Sequence, residues 1–120
     1  MHIQLDNYKI NIHEISNIKN SRETICFIPG AGMDHRTSQM IGFDDMKEEF
    51  NIIAIDLPGH GYTTGPQMNT IEDYSDFCCK VIKSLNIEAP IFIGHSMGGL
   101  VALDLSIKIK NSKTILMNTA

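Results

Sequence analysis

The chain has 120 residues, enough for one domain, with 42% hydrophobic and 20% charged residues, the balance of an ordinary globular protein. Its formal net charge is −4 and it holds no basic run, so nothing electrostatic points to nucleic acid or an anionic membrane as a partner. No apolar stretch approaches the ~20 residues that span a bilayer, and the start, MHIQLDNYKI, lacks the apolar core of a leader; a cytoplasmic chain without membrane insertion is the default expectation.

Residues 2–15 read as a β-hairpin, with Ile3 and Leu5, then Tyr8, Ile10 and Ile12, alternating with polar neighbours around Asp6-Asn7. A polar connector, SNIKNSRE, leads to TICFI (24–28), a continuous apolar run of the kind that forms a strand buried on both faces. Pro29, Gly30 and Gly32 end it. The spacing of Met40, Phe43 and Phe50 predicts a helix over 38–50, weakened by Gly42. NIIAID (51–56) is a second buried strand, closed by LPGHG. Residues 70–85 predict the clearest helix: Thr70 caps it with Asp73 three residues on, and Ile71, Tyr74, Cys78, Val81, Ile82 and Leu85 form its apolar stripe. PIFIG (90–94) predicts a third buried strand, Met97–Ile109 a helix with Lys108 and Lys110 at its negative end, and KTILM (113–117) a fourth strand. Cys26, Cys78 and Cys79 all lie in these apolar stretches and read as reduced, buried thiols rather than a disulfide framework. Strand and helix alternate after residue 23. The fold class is therefore α/β: three layers, α/β/α, with a mostly parallel sheet, helices on both faces and an N-terminal antiparallel hairpin.

Between the strand at 90–94 and the helix that follows lies Gly94-His95-Ser96-Met97-Gly98, a G-x-S-x-G. A sharp strand-to-helix turn crowds the positions two before and two after the serine, where only a residue without Cβ fits. The serine itself is pushed into an unfavourable backbone conformation, with its hydroxyl aimed out of the turn. The turn also sets Ser96 at a helix N-terminus, where unpaired N–H groups and the helix dipole favour an oxyanion. The N–H of Met97 is the natural first donor.

GHSMGG after an apolar strand resembles the α/β-hydrolase superfamily, in particular its serine esterase, acyl-hydrolase and thioesterase-like branches. FIPGAGMD (27–34) is similar to the family's oxyanion loop, and DLPGHGYT (56–63) to its loop after the next strand. The resemblance covers residues 24–118. It implies Ser96 as nucleophile and the N–H groups of Met97 and of Ala31, or alternatively Gly32, as oxyanion donors; Gly30 and Gly32 let backbone close on a small-molecule acyl substrate, and His35, near the mouth, is a candidate substrate contact. Pro29-Gly30 replaces the family's common His-Gly start. DLPGHG reads as structural, and His60 is a poor candidate for the general base, which the family takes from elsewhere. His95 reads as a packing or hydrogen-bonding residue. No His/Cys spacing suits a metal, and no cofactor is expected.

The family supplies its acid and then its histidine after the serine. Here only Asp104, mid-helix, and no histidine follow Ser96, and Asn118 stands where some members carry the acid. The 120 residues are thus expected to form the N-terminal portion of a single domain, an incomplete α/β-hydrolase fold inactive by itself. Its last strand would be an exposed edge prone to self-association. Two alternatives stay open: a catalytically silent binding module on the same fold, and an acyl carrier transacylase, whose family also pairs PGxG with GHSxG.

Overall fold

The computed structural model describes residues 1–117. The sheet has six strands: β1 (His2–Leu5), β2 (Tyr8–Glu14), β3 (Thr24–Ile28), β4 (Asn51–Ile55), β5 (Ile91–His95) and β6 (Lys113–Met117). They lie in the order β1-β2-β4-β3-β5-β6. β1, β2 and β4 run antiparallel to their neighbours in the hairpin half, whereas β4, β3, β5 and β6 are mutually parallel. This is the expected α/β architecture, with the hairpin at one edge and β6 at the other.

The alternation of side chains along β3 explains the layers. Cys26 and Ile28 point into one core, with Ile53, Ile55 and Phe92, while Ile25 and Phe27 point into the other, with Ile52, Ala54 and Ile93. Both α1 (Ile71–Ser84) and α2 (Met97–Lys108) cover the first face, contributing Tyr74, Phe77, Cys78, Val81, Ile82, Val101, Ala102 and Leu105. They also pack on each other, and Lys108 Nζ at the end of α2 reaches the Asp76 carboxylate of α1 at 2.6 Å and the Ser75 hydroxyl at 3.0 Å. α1 begins where its sequence predicts: the N–H of Asp73 donates to Thr70 Oγ1 at 3.0 Å, satisfying one of the helix's orphan donors.

Two expectations are corrected. Residues 38–50 are not an α-helix but two 3-10 turns, His35–Met40 and Phe43–Met46, and these form the second layer. Gly42 between them is left-handed, φ 79°, a conformation no α-helix continues through. Met40, expected on the buried stripe, is 85% exposed, while Phe43 is buried edge-on against Phe27 with ring centroids 5.8 Å apart. The second correction is one of kind: the layer expected on the other face is present but built from these 3-10 turns, while both described α-helices share the first face.

β6 pairs only with β5 among the described strands. Its Ile115 and Leu116, consecutive and therefore on opposite faces, are both exposed, as are Leu103 and Ile107 on the outer side of α2. Asn118 lies outside the described residues.

Candidate active site

The C-terminal ends of β3, β4 and β5 lie side by side, so the loops that leave them meet at one edge of the sheet. Ser96 is the hinge between β5 and α2. Its φ of 55° and ψ of −121° fall outside every region a side chain favours, and its hydroxyl makes no capping bond to the helix it precedes. The conformation is held from outside: the Ser96 N–H donates to the Met117 carbonyl at 3.0 Å, and the Gly99 N–H donates to the Ser96 carbonyl at 2.9 Å. Two close approaches leave no alternative. A Cβ at Gly94 would collide with the Gly98 carbonyl, and one at Gly98 with the carbonyl of Ile28. The elbow is wedged against the end of β3.

The loop after β3 comes onto Ser96 from above. A Cβ at Gly30 would stand 3.1 Å from Ser96 Cβ. The loop turns tightly there, with the Met33 N–H donating to the Gly30 carbonyl at 3.1 Å. Among the described residues, neither the N–H of Ala31 nor that of Met97 is taken up by a backbone acceptor. Ala31, Gly32, His60, Tyr74 and Met97 line a cavity of about 250 Å³ next to this junction.

Asp56, directly after β4, is completely buried, and sequence reasoning gave it no part of its own. Its carboxylate accepts four hydrogen bonds: from the backbone N–H of His35 at 2.7 Å, His35 Nδ1 at 2.8 Å, Asn11 Nδ2 at 2.9 Å and the backbone N–H of Tyr62 at 3.0 Å. A carboxylate can only accept, so Nδ1 of His35 carries the hydrogen. An acid placed where a buried apolar strand gives way to a glycine turn was the available signal. Such a group must find donors or it would not be tolerated there.

The other histidines separate by environment. His35 is 6% exposed, its ring packed on His13 at 4.8 Å and on Tyr62 at 5.1 Å between centroids. Burial and the neighbouring His35 hold the His13 imidazole below its usual pKa. His60 turns Nδ1 to the Pro58 carbonyl at 3.0 Å and lies edge-on to Tyr74; its Nε2 has no partner among the described residues. The buried Nδ1 of His95 is likewise without a described partner. Asp34, His35 and Asp56 bring ligand-type atoms within 4.8 Å of one another. Their facing atoms are already used: Asp56 is bonded to His35, and the Asp34 carboxylate is held by Arg36, whose Nε donates at 2.9 Å. That hydrogen bond lowers the Asp34 pKa to about 2. In the core, burial pushes the Cys26 and Cys78 thiols well above their usual range, so neither is a nucleophile.

The family model of the Alpha/beta hydrolase family matches residues 27–119, which include the loops after β3 and β4 and the elbow. The chain belongs to this family. Among curated relatives it is 34% identical over 87 residues to the dihydrolipoyllysine-residue acetyltransferase component of the acetoin cleaving system of Cupriavidus necator, covering 71% of this chain and 23% of that protein. It is 32% identical over 83 residues to 3-oxoadipate enol-lactonase 1 of Acinetobacter baylyi, covering 69% of this chain and 31% of that one. The chain therefore spans about a quarter to a third of these relatives' length. The solved structure of a bacterial membrane phospholipase A superposes on the whole chain with a TM-score of 0.88 at 22% identity, using 39% of that structure. Est816, described as an N-acyl homoserine lactone degrading enzyme, superposes on 99% of the chain with a TM-score of 0.82 at 20% identity, using 45% of that structure. These superpositions establish the shared fold. Its relatives also include the (E)-2-((N-methylformamido)methylene)succinate hydrolase of Acinetobacter baylyi, 28% identical over 86 residues.

Proposed function

We propose that this chain carries the nucleophile half of a serine hydrolase acting on an ester, thioester or related acyl compound. The observation that carries the reading is the backbone of Ser96: a strained serine, φ 55°, at the head of a helix, fixed by glycines that admit no side chain. Strain of this kind costs about 1–3 kcal/mol and persists where the surroundings over-determine it. An elbow that exists only to turn the chain would place glycine, not serine, at that φ.

In the proposed reaction Ser96 Oγ attacks the acyl carbon while a base removes the hydroxyl proton. The carbonyl π electrons move onto oxygen, and the N–H groups of Met97 and Ala31 receive that charge. Collapse breaks the bond to the leaving alcohol or thiol, which takes the proton back, and water releases the acid by the same steps. Gly30 and Gly32 let the backbone lie close to the acyl group. The acid and histidine are proposed to lie C-terminal to residue 120, so that a polypeptide confined to residues 1–120 would be inactive. The test uses the full-length protein. A fluorophosphonate probe should label Ser96, and labelling should vanish in Ser96→Ala; a wild type that stays unlabelled while hydrolysing esters overturns the assignment.

The same reading extends to the sheet edge. We propose that a polypeptide limited to residues 1–120 self-associates through β6, whose Ile115 and Leu116 expose apolar surface on both faces. Light scattering should show oligomers that shrink in Ile115→Lys; a monodisperse wild-type monomer would refute it.

A further inference from the structure

The loop bearing Ala31 is proposed above to supply half of the oxyanion site, yet Pro29 and the small residues of PGAG offer few side-chain contacts of their own to hold it. What holds it lies at its far end. We propose that Asp56 is a positioning residue of the reaction: acting through His35, its buried carboxylate clamps the loop after β3 so that the Ala31 amide faces Ser96. The inference rests on the Ser96 reading and deepens it.

Four features converge on the clamp. Asp56 grips His35 twice, by its backbone N–H at 2.7 Å and by Nδ1 at 2.8 Å, so both the path of the chain and the orientation of the ring are fixed at one residue. The carboxylate is itself pinned to two other elements: to β2 through Asn11 Nδ2, and to its own loop through the Tyr62 N–H. A further bond locks the same corner, the Thr63 hydroxyl donating to the Asp56 carbonyl at 2.7 Å while accepting from the Asn11 N–H at 3.0 Å. Finally, a Cβ at Gly61 would collide with the Asp56 carboxylate and stand 2.8 Å from Asp34 Cβ, so the loops after β3 and β4 are in direct contact where only glycine fits.

A fully buried carboxylate is an expensive way to join loops unless all its acceptor sites are used. Here Oδ2 takes three donors and Oδ1 one, which leaves a rigid post rather than a liability. From that post to Gly30, which abuts Ser96, the loop is six residues long and closed by its own tight turn. An oxyanion donor displaced by ~1 Å loses about a hundredfold in rate, so anchoring of this kind shows in turnover more than in substrate binding. The committed Nδ1 and the burial of His35 fit this role better than contact with a substrate.

The experiment measures p-nitrophenyl butyrate hydrolysis by the full-length protein, with inhibition by an alkyl trifluoromethyl ketone, whose hemiketal mimics the oxyanion. Asp56→Asn and His35→Leu should each lower kcat about 100-fold and weaken the ketone similarly, with KM changed less than about threefold. His35→Asn, which returns an N–H donor near the Nδ1 position, should recover about tenfold of kcat over His35→Leu. Should Asp56→Asn fail to fold, the two His35 variants decide. Wild-type kcat in folded His35→Leu, or equal kcat in His35→Leu and His35→Asn, overturns the clamp. Hydrolysis that survives Ser96→Ala overturns the underlying reading instead, and the clamp's catalytic role with it.

Discussion

At the turn after β5, a Cβ on Gly98 would strike the Ile28 carbonyl and one on Gly94 the Gly98 carbonyl. In the loop after β3, a Cβ on Gly32 would meet nothing within 4 Å; glycine is wanted there for its φ of 72°. Both turns flank the same serine, and both read in the sequence as glycine-rich breaks. One is a solid wedge of backbone against backbone, and the other is an open loop held at its distal end. The difference shows that repeated glycines can encode two unrelated demands, volume in the first case and dihedral freedom in the second.

The comparison can be broken by substitution. Gly98→Ala should cost more than about 3 kcal/mol in urea unfolding, because the obstacle is the backbone of another strand and cannot rotate away. Gly32→Ala should cost only about 1–2 kcal/mol, the penalty for a side chain in left-handed backbone. Equal losses would show that the two turns do not differ in kind. Ser96→Gly sharpens the contrast from the opposite side. It relieves strain at φ 55° and should raise stability by about 1 kcal/mol while abolishing hydrolysis by the full-length protein. Any loss of stability in that variant would argue that the serine is not strained.

The smallest expected effect concerns the open loop's surface. The Arg36 side-chain hydrogen bond lowers the Asp34 pKa from 3.8 to about 2 in the folded protein. The unfolded chain therefore binds the proton first, so this contribution is complete above about pH 4 and is lost as the pH falls towards 2. Urea midpoints between pH 5 and 2 should fall less steeply in Arg36→Gln than in wild type. Parallel curves would remove Asp34 from the account.

What could be read from the sequence follows from how local each signal is. TICFI and NIIAID are strands buried on both faces and are written as uninterrupted apolar runs, and Thr70 caps its helix through a residue only three places on. The elbow is equally compact, five residues spanning the junction of a strand and a helix. The segment after β3 misleads because Met40, Phe43 and Phe50 carry helical spacing while left-handed Gly42 divides them. Asp56 is silent in the sequence for a different reason. Its donors come from Asn11, 45 residues earlier, and His35, 21 residues earlier, and no local pattern announces such a meeting. The side on which α2 packs was equally hidden, since an apolar helix says that it is covered and not from where.

The sulfur atoms of the core have a practical consequence. Cys26 and Cys78 lie on β3 and α1 in the same apolar cluster, sealed from water, whereas Cys79, one position on, is half-buried. Within residues 1–120, an alkylating reagent therefore meets one partly accessible thiol in the folded chain and gains the other two only when sheet and helix separate. The polypeptide thus carries its own gauge of opening, graded from fraying at the helix surface to rupture of the interior, without a dye or a tag.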